Sequence, residues 1–417
     1  MDRLNLDKVK IMAAAATLAM FAGTACAHVE LYAEVNKVYE QVWTEEMDTG
    51  IFGDNNYSPS KVGVMSSAHL NKCVTFGGVA ELEFLPNNTR LASELVTEDL
   101  LNHIVYARKL EAWASAGMWG KLSLGLGEAA SWNITNISYA GTNQTSLGSS
   151  VANNAGGMIF IIKNANNAAS TSPNVNIVFN ALNGVGDIDS FNGVLSTKDR
   201  VRYDTADWMG FKASVSYGNV TKNFASLTLE DEITASLLAA QTRRTFFDVA
   251  LRYSGCWDDF MFGAGVAGAW YNRDGSTREP FSTFAGTGYR DRRAWSGSLA
   301  VEHKPTGFNA AVAGGQRRKI VKGLDEYGFW YVQLGKKFCF TNYGKTNVAV
   351  DWFQSRNSIQ NSDRGNSWSV GVTQDLCKIH SAVYASVRNY KYADTRPSYE
   401  DIFVMTLGVQ FKFGAML

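Results

Sequence analysis

Beyond its first 27 residues the chain has no apolar run approaching the ~18 residues that a membrane-spanning helix needs, and its mean hydropathy is slightly negative. Helical insertion is excluded on that ground. Proline is scarce, six in 417 residues, which argues against a Pro-rich linker or a disordered segment. Neither charge is in excess, since 39 Lys and Arg meet 39 Asp and Glu. A nucleic-acid partner, which needs a basic surface, is therefore not expected. Histidine is equally sparse. His69, His103, His303 and His380 fall in no zinc spacing and beside no nucleophile motif. Gly125-Leu126-Gly127 resembles a nucleotide loop only superficially, because it ends a strand and no helix follows. No catalytic residue, metal site or cofactor is expected, and the chain does not read as an enzyme.

What is abundant points elsewhere. Thirty-eight glycines and 12% aromatic residues favour many strands joined by turns. The first 27 residues read as an export leader, with a basic start at Arg3, Lys8 and Lys10, an apolar stretch from Ile11 to Gly23, and small residues at Ala25 and Ala27. Gly23 stands where a lipoprotein signal would carry an aliphatic residue before Cys26, so cleavage after Ala27 is expected, leaving 28–417 as one domain. That domain alternates apolar and polar positions strand after strand. Its last stretch sets Met405, Leu407, Val409, Phe411 and Phe413 against Thr406, Gly408, Gln410 and Lys412. Its first sets Val29, Leu31, Ala33 and Val35 against Glu30, Tyr32, Glu34 and Asn36.

Alternation alone fits a soluble sandwich as well as a barrel. Loop length separates them. Short turns at Asn71-Lys72, Gly117–Trp119, Ala206–Gly210, Cys256–Asp259, Pro305–Gly307, Cys339–Gly344 and Lys378-Ile379 alternate with long polar loops, among them 44–59, 85–102, 221–241 and 272–291. Strict alternation is the rule for an outer-membrane barrel, whose periplasmic turns are short and extracellular loops long. Trp119, Trp208 and Trp257 fall at short turns, and Trp43, Trp270, Trp295, Trp352 and Trp368 at the other strand ends, as two interfacial girdles would require. The fold expected is thus all-β: a closed antiparallel transmembrane β-barrel of the outer-membrane type, in contact with lipid. It has 16 strands, or 18 if 157–163 and 174–181 both join the wall. Either count is wide enough to enclose water.

Particular residues carry a family resemblance. Ser60-Lys61-Val62-Gly63-Val64 with the hairpin to Glu83, Trp119-Gly120-Lys121-Leu122-Ser123-Leu124-Gly125, and Asp199-Arg200-Val201-Arg202-Tyr203-Asp204 leading to Gly210-Phe211 resemble the general porins of Gram-negative outer membranes. The resemblance implies a homotrimer of 16-stranded barrels, each a passive channel for small hydrophilic solutes and ions, narrowed midway by its third long loop. In that family basic wall residues face acidic residues on the loop. The matching wall positions here are Lys61, Lys109 and Arg202, all on inward registers. The loop departs from the pattern: between Glu128 and Lys163 it has no charged residue.

By register the first strands add inward Glu34, Glu81, Glu83 and Glu111 beside Lys61 and Lys109. Focused by low-dielectric walls, a mixed set of charges predicts weak ion selectivity, with at most a mild cation preference. The constriction-loop residues expected are Trp132, Asn133, Asn136, Tyr139, Asn143 and Gln144. Trp132, Ile134, Ile137 and Tyr139 admit a second reading, a saccharide-selective channel in which aromatic faces stack on sugar rings. Adhesion through the long loops is a third. Four cysteines of the mature chain, Cys73, Cys256, Cys339 and Cys377, lie at or beside short turns. Alternate strand ends stand ~10 Å apart, beyond disulfide reach, so free or intermolecular thiols are expected.

Overall fold

The computed structural model describes residues 27–45, 48–84, 88–89, 105–145, 150–163, 178, 182, 197–219, 244–273, 292–318, 325–395 and 398–416. The expected leader, 1–27, lies outside them apart from Ala27, with which the first strand begins. So do most of the long loops and the stretch 174–181, of which Val178 alone is described.

Seventeen strands are described, all antiparallel: β1 (Ala27–Trp43), β2 (Asp48–Asp54), β3 (Ser60–His69), β4 (Thr75–Phe84), β5 (Val105–Ser115), β6 (Lys121–Glu128), β7 (Thr197–Asp204), β8 (Phe211–Asn219), β9 (Arg244–Trp257), β10 (Phe260–Arg273), β11 (Arg292–His303), β12 (Phe308–Arg317), β13 (Tyr327–Thr341), β14 (Gly344–Arg356), β15 (Arg364–Leu376), β16 (Ser381–Ala393) and β17 (Ile402–Met416). From β3 to β17 each strand pairs with the next in the chain, and β17 pairs with β1 from Glu30↔Met416 to Trp43↔Phe403, which closes the sheet. Residues 414–416 extend the last strand past Phe413 and pair with Glu30, Leu31 and Tyr32.

Strands β2 and β3 share one edge of β1. The upper one pairs with Lys37–Trp43 and the lower with Ala27–Glu34, so the two occupy one position and the wall counts sixteen. This corrects the expectation of an unbroken loop over 44–59. Between the halves, Asn55-Asn56-Tyr57-Ser58-Pro59 leaves the sheet, as a turn-forming run ending in a residue without an N–H must. Asn36 spans the gap: its backbone N–H donates to Ser60 Oγ (3.0 Å) and its Nδ2 to the Ser58 carbonyl (2.8 Å). The 18-strand alternative fails at 157–163, where the described residues form isolated bridges, such as that of Ile162 with Tyr399, and no strand of the wall.

The first short turn is longer than the two residues expected. His69 pairs with Thr75, and Asn71 Oδ1 accepts the N–H groups of Cys73 and Val74 to order the five residues between. The turn after β9 has two residues, Asp258-Asp259, with Asp258 at φ +48°. Gly210, at φ +87°, is required where it stands, because a Cβ there would fall 2.4 Å from the Ser254 carbonyl.

Outward positions are apolar and exposed, among them Leu251, Leu299, Leu334 and Val350, as the alternation predicts. Aromatic contacts at the loop end follow the rim: Trp270 with Trp295 (4.9 Å between ring centres), Trp330 with Trp352 (3.9 Å), and Trp43 and Trp368 both with Phe403. Trp119, Trp208 and Trp257 stand exposed at the short turns. The four cysteines are free and exposed at the same end.

Two outcomes follow from this architecture. Leu299→Arg, at mid-strand on the outward face, lowers the unfolding free energy in lipid by ~2–4 kcal/mol, measured by reversible denaturant titration. A maleimide carried on a polymer too large to cross such channels leaves the four thiols unmodified in intact cells and labels them once the outer membrane is opened.

Candidate functional site

Residues 129–145 and 150–163 of the third long connection turn inward and are held by the wall strand by strand. The backbone N–H of Ala130 donates to Ser216 Oγ (3.0 Å) on β8, and that of Ser131 to Asp248 Oδ2 (2.6 Å) on β9. Arg252 donates to the carbonyls of Ala130 and Trp132 (2.8 and 2.6 Å). A short 3-10 turn, Ile134–Asn136, then packs on β10 and β11, where the wall provides glycines. A Cβ at Gly265 would fall 2.9 Å from Ile134 and Ile137, and one at Gly263 would fall 2.8 Å from the Tyr139 hydroxyl. Side chains are absent there because the loop fills their space.

Further along, Ser138 donates to Gln333 on β13, and Gly141 and Thr145 lie against Asn347 on β14 and Gly371 on β15. Gln144 Nε2 donates to Gln410 on β17 (2.8 Å). Asn154 Nδ2 donates to Thr406 (2.7 Å), the Ala155 N–H to buried Glu40 on β1 (2.8 Å), and Tyr390 on β16 to the carbonyls of Val151 and Asn154. Met158 and Phe160 join Tyr327, Phe329, Tyr331, Phe353 and Tyr392 in one buried apolar cluster on the inner wall.

The expected loop residues therefore divide. Asn143 is exposed, and Trp132, Asn133, Asn136 and Tyr139 are half-buried. Gln144 is instead a wall anchor. Asn136 Nδ2 donates to Asn133 Oδ1 (2.8 Å), so the two brace the loop itself. Tyr139 and Ile137 pack against Gly263 and Gly265 of β10. Burial raises the Tyr139 phenol above its ordinary range, so it remains neutral.

Across the lumen, β3 to β7 present the charged side chains. Lys61 pairs with Glu34 (2.9 Å), Lys109 with Glu128 (2.7 Å), Arg200 with Glu111 (2.5 Å) and Arg202 with Asp204 (2.7 Å). Arg108 contacts Glu81, Glu83 (3.1 Å) and Glu128 (3.2 Å). The Tyr32 hydroxyl donates to Glu81 (2.6 Å), and Gln410 donates to Glu34 (2.5 Å).

All seven expected wall residues thus meet in one band. Strict alternation missed Arg108, because the pairing jumps from Glu81↔Lys109 to Leu82↔Ala107 and leaves Arg108 as the extra residue of a bulge. Both Arg108 and Lys109 reach Glu128, so the bulge delivers two successive cations to the lumen. Arg200 shares the inward register of Arg202 and could have been found by counting two residues back. Glu128, at the end of β6, carried no signal of its own.

The comparisons agree with this geometry. No curated protein sequence matches the chain. Among solved structures it is similar to an anion-selective porin from Comamonas acidovorans, with 13% identity, TM-score 0.59, and coverage of 93% of this chain and 100% of that one. It is similar also to OmpF of Salmonella typhi in complex with daunomycin (13%, 0.55, 92% and 97%) and to the trimer form of OmpT, an outer membrane protein of Vibrio cholerae (12%, 0.54, 93% and 100%). At such identities these likenesses concern the fold alone. A family model for Gram-negative porins matches residues 13–416. With a closed outer-membrane barrel around an inserted loop, the chain belongs to the Gram-negative porin family, whose members are channels for the passive diffusion of solutes.

Proposed function

We propose that this channel passes small hydrophilic solutes and ions with weak charge selectivity, and that its narrowest part is bounded by the β3–β7 charges on one side and residues 132–143 on the other. One observation carries the proposal: wall cations and wall carboxylates are neighbours of each other, while the loop opposite carries no charge. A solute crossing between them meets closely spaced opposite charges whose fields cancel within a few ångströms, instead of a transverse field spanning the lumen. Width then filters first and charge second.

Glu34, Glu81, Glu83, Arg200 and Asp204 are largely buried within the band, each against a partner of opposite charge, and the set fixes the local potential of the wall. The anion selectivity named for the Comamonas protein is not transferred. Three further points belong to this reading: cleavage of the leader after Ala27, assembly as a homotrimer, for which the trimeric neighbour gives support, and transport without a catalytic step or cofactor.

Planar-bilayer recording tests it. A potassium chloride gradient across reconstituted wild type gives a reversal potential near zero. Strong selectivity of either sign would sink the proposal. Arg108→Gln uncovers Glu81 and Glu83 and shifts the reversal potential toward cation preference, whereas Glu128→Gln releases Lys109 and shifts it the other way.

Loop position is tested separately. Gly265→Leu drives Ile134 and Ile137 off β10, so single-channel conductance and the rate of uptake of small sugars by liposomes change together, while the barrel still assembles. An unchanged conductance would show that 134–139 do not bound the passage.

A further inference from the structure

Between the charged band and the short turns, the wall of β6 to β9 carries a second group of cations. Lys121 opens β6, one residue after the turn at Gly117–Trp119, and Lys212 is the second residue of β8. Arg252 of β9 stands directly opposite Lys212 in the register. All three fall on inward positions, which they share with buried Ser123, Ser214 and Ala250, each two residues away on the same strand. Like charges set opposite each other on one face of a sheet are destabilising, so the juxtaposition requires a reason.

These cations differ from those of the band in having no carboxylate of their own. Lys61, Lys109, Arg200 and Arg202 are each paired, whereas among the described residues no ion pair reaches Lys121, Lys212 or Arg252. The carboxylates nearby are already engaged. Asp204 holds Arg202 and the Ser214 hydroxyl, Glu111 holds Arg200, and Asp248 accepts the Ser131 N–H and the Ser216 hydroxyl. Arg252 spends Nη2 on the loop carbonyls of Ala130 and Trp132, and its Nη1 has no acceptor among the described residues. Lys121 Nζ lies 4.8 Å from the centre of the Trp113 ring, and Lys212 is exposed. In strand order, half the circumference away, Glu30 and Asp375 share a recess of about 770 Å³ with Lys412. The positive excess on β6–β9 therefore has a counterweight across the exit, and for monovalent ions the two walls oppose each other.

We propose that Lys121, Lys212 and Arg252 form a docking place for a small dianionic solute, of the inorganic phosphate or short dicarboxylate class, on the short-turn side of the loop. Lys212 and Lys121 supply the contacts, and Arg252 adds its charge from the wall while it holds the loop root. A dianion gains twice what a monovalent ion gains from each cation, and low-dielectric walls focus the effect. Because the two lysines reach into lumen water, the solute is held weakly enough to leave again, which conduction requires. The inference rests on the channel reading above and names a solute class for it.

The test uses the full chain reconstituted in planar bilayers in potassium chloride. Inorganic phosphate at mildly alkaline pH, where it is a dianion, lowers the chloride-carried conductance saturably, whereas acetate at equal ionic strength does not. Lys212→Gln and Lys121→Gln each raise the phosphate concentration for half effect ~5-fold, and the double variant loses the saturable effect. Lys378→Gln, in the short turn after β15, leaves it unchanged. Conductance in potassium chloride alone shows that each variant has assembled. No phosphate effect, one matched by acetate, or one undiminished in the double variant overturns the proposal. Such a failure with a reversal potential near zero leaves the channel reading intact, while strong selectivity in the chloride gradient strikes that reading first, so the two failures are distinguishable.

Discussion

Hydrocarbon accepts no unpaired backbone N–H or C=O, and every other feature of this molecule is arranged around that constraint. A sheet meets it only by having no edge. Here the closing seam is a continuous register of fourteen residue pairs, from Glu30↔Met416 to Trp43↔Phe403, matched in length by the β9–β10 hairpin. The constraint also explains what happens at Asn55–Pro59. Where the sequence cannot hold strand geometry, the interrupted groups of Asn36 find Ser58 and Ser60.

Closure creates a second problem, an interior too wide for side chains to fill. The chain answers with its own third connection. Gly263, Gly265 and Gly371 remove wall volume where Ile134, Ile137, Tyr139 and Thr145 press in, and Asp248, Arg252, Glu40 and Tyr390 capture loop backbone groups that water would otherwise satisfy. Holding the loop in this way fixes the width of the passage. It also accounts for the apolar inner face of β13–β16: Tyr327, Phe329, Tyr331 and Phe353 are covered by Met158 and Phe160.

How much of this was legible follows from which interactions are local in sequence. Lipid on one face imposes period two, so β17, the belts, the turn positions and the inward register of Lys61, Lys109, Arg202 and the four glutamates could be read directly. Pairings that obey no period could not. Arg108 is inward only because of a bulge, a feature of two strands together. Strand β2 was hidden because Asp48-Thr49-Gly50-Ile51-Phe52-Gly53-Asp54 has too few apolar positions to show a face. Gln144 looked like a lumen group until Gln410, distant in sequence, claimed it. The run from Met158 to Ile162 broke alternation for a reason that lies on β13–β16, beyond any local pattern.

The charged band poses the question of why carboxylates and cations share one wall. A neutral loop cannot balance a basic wall, so a set of unpaired cations on β3–β7 would stand in a narrow lumen with only water to screen them. Placing Glu81, Glu83 and Glu128 around Arg108, and Asp204 beside Arg202, neutralises the band within its own strands. The loop is held by glycine packing and by hydrogen bonds, several of them to charged wall groups: Arg202 reaches the Ala129 carbonyl, Arg252 those of Ala130 and Trp132, and Asp248 and Glu40 accept loop N–H groups. A substitution at Arg108 or Lys109, whose carboxylate partners lie on the wall, changes the potential a solute meets while leaving those anchors in place.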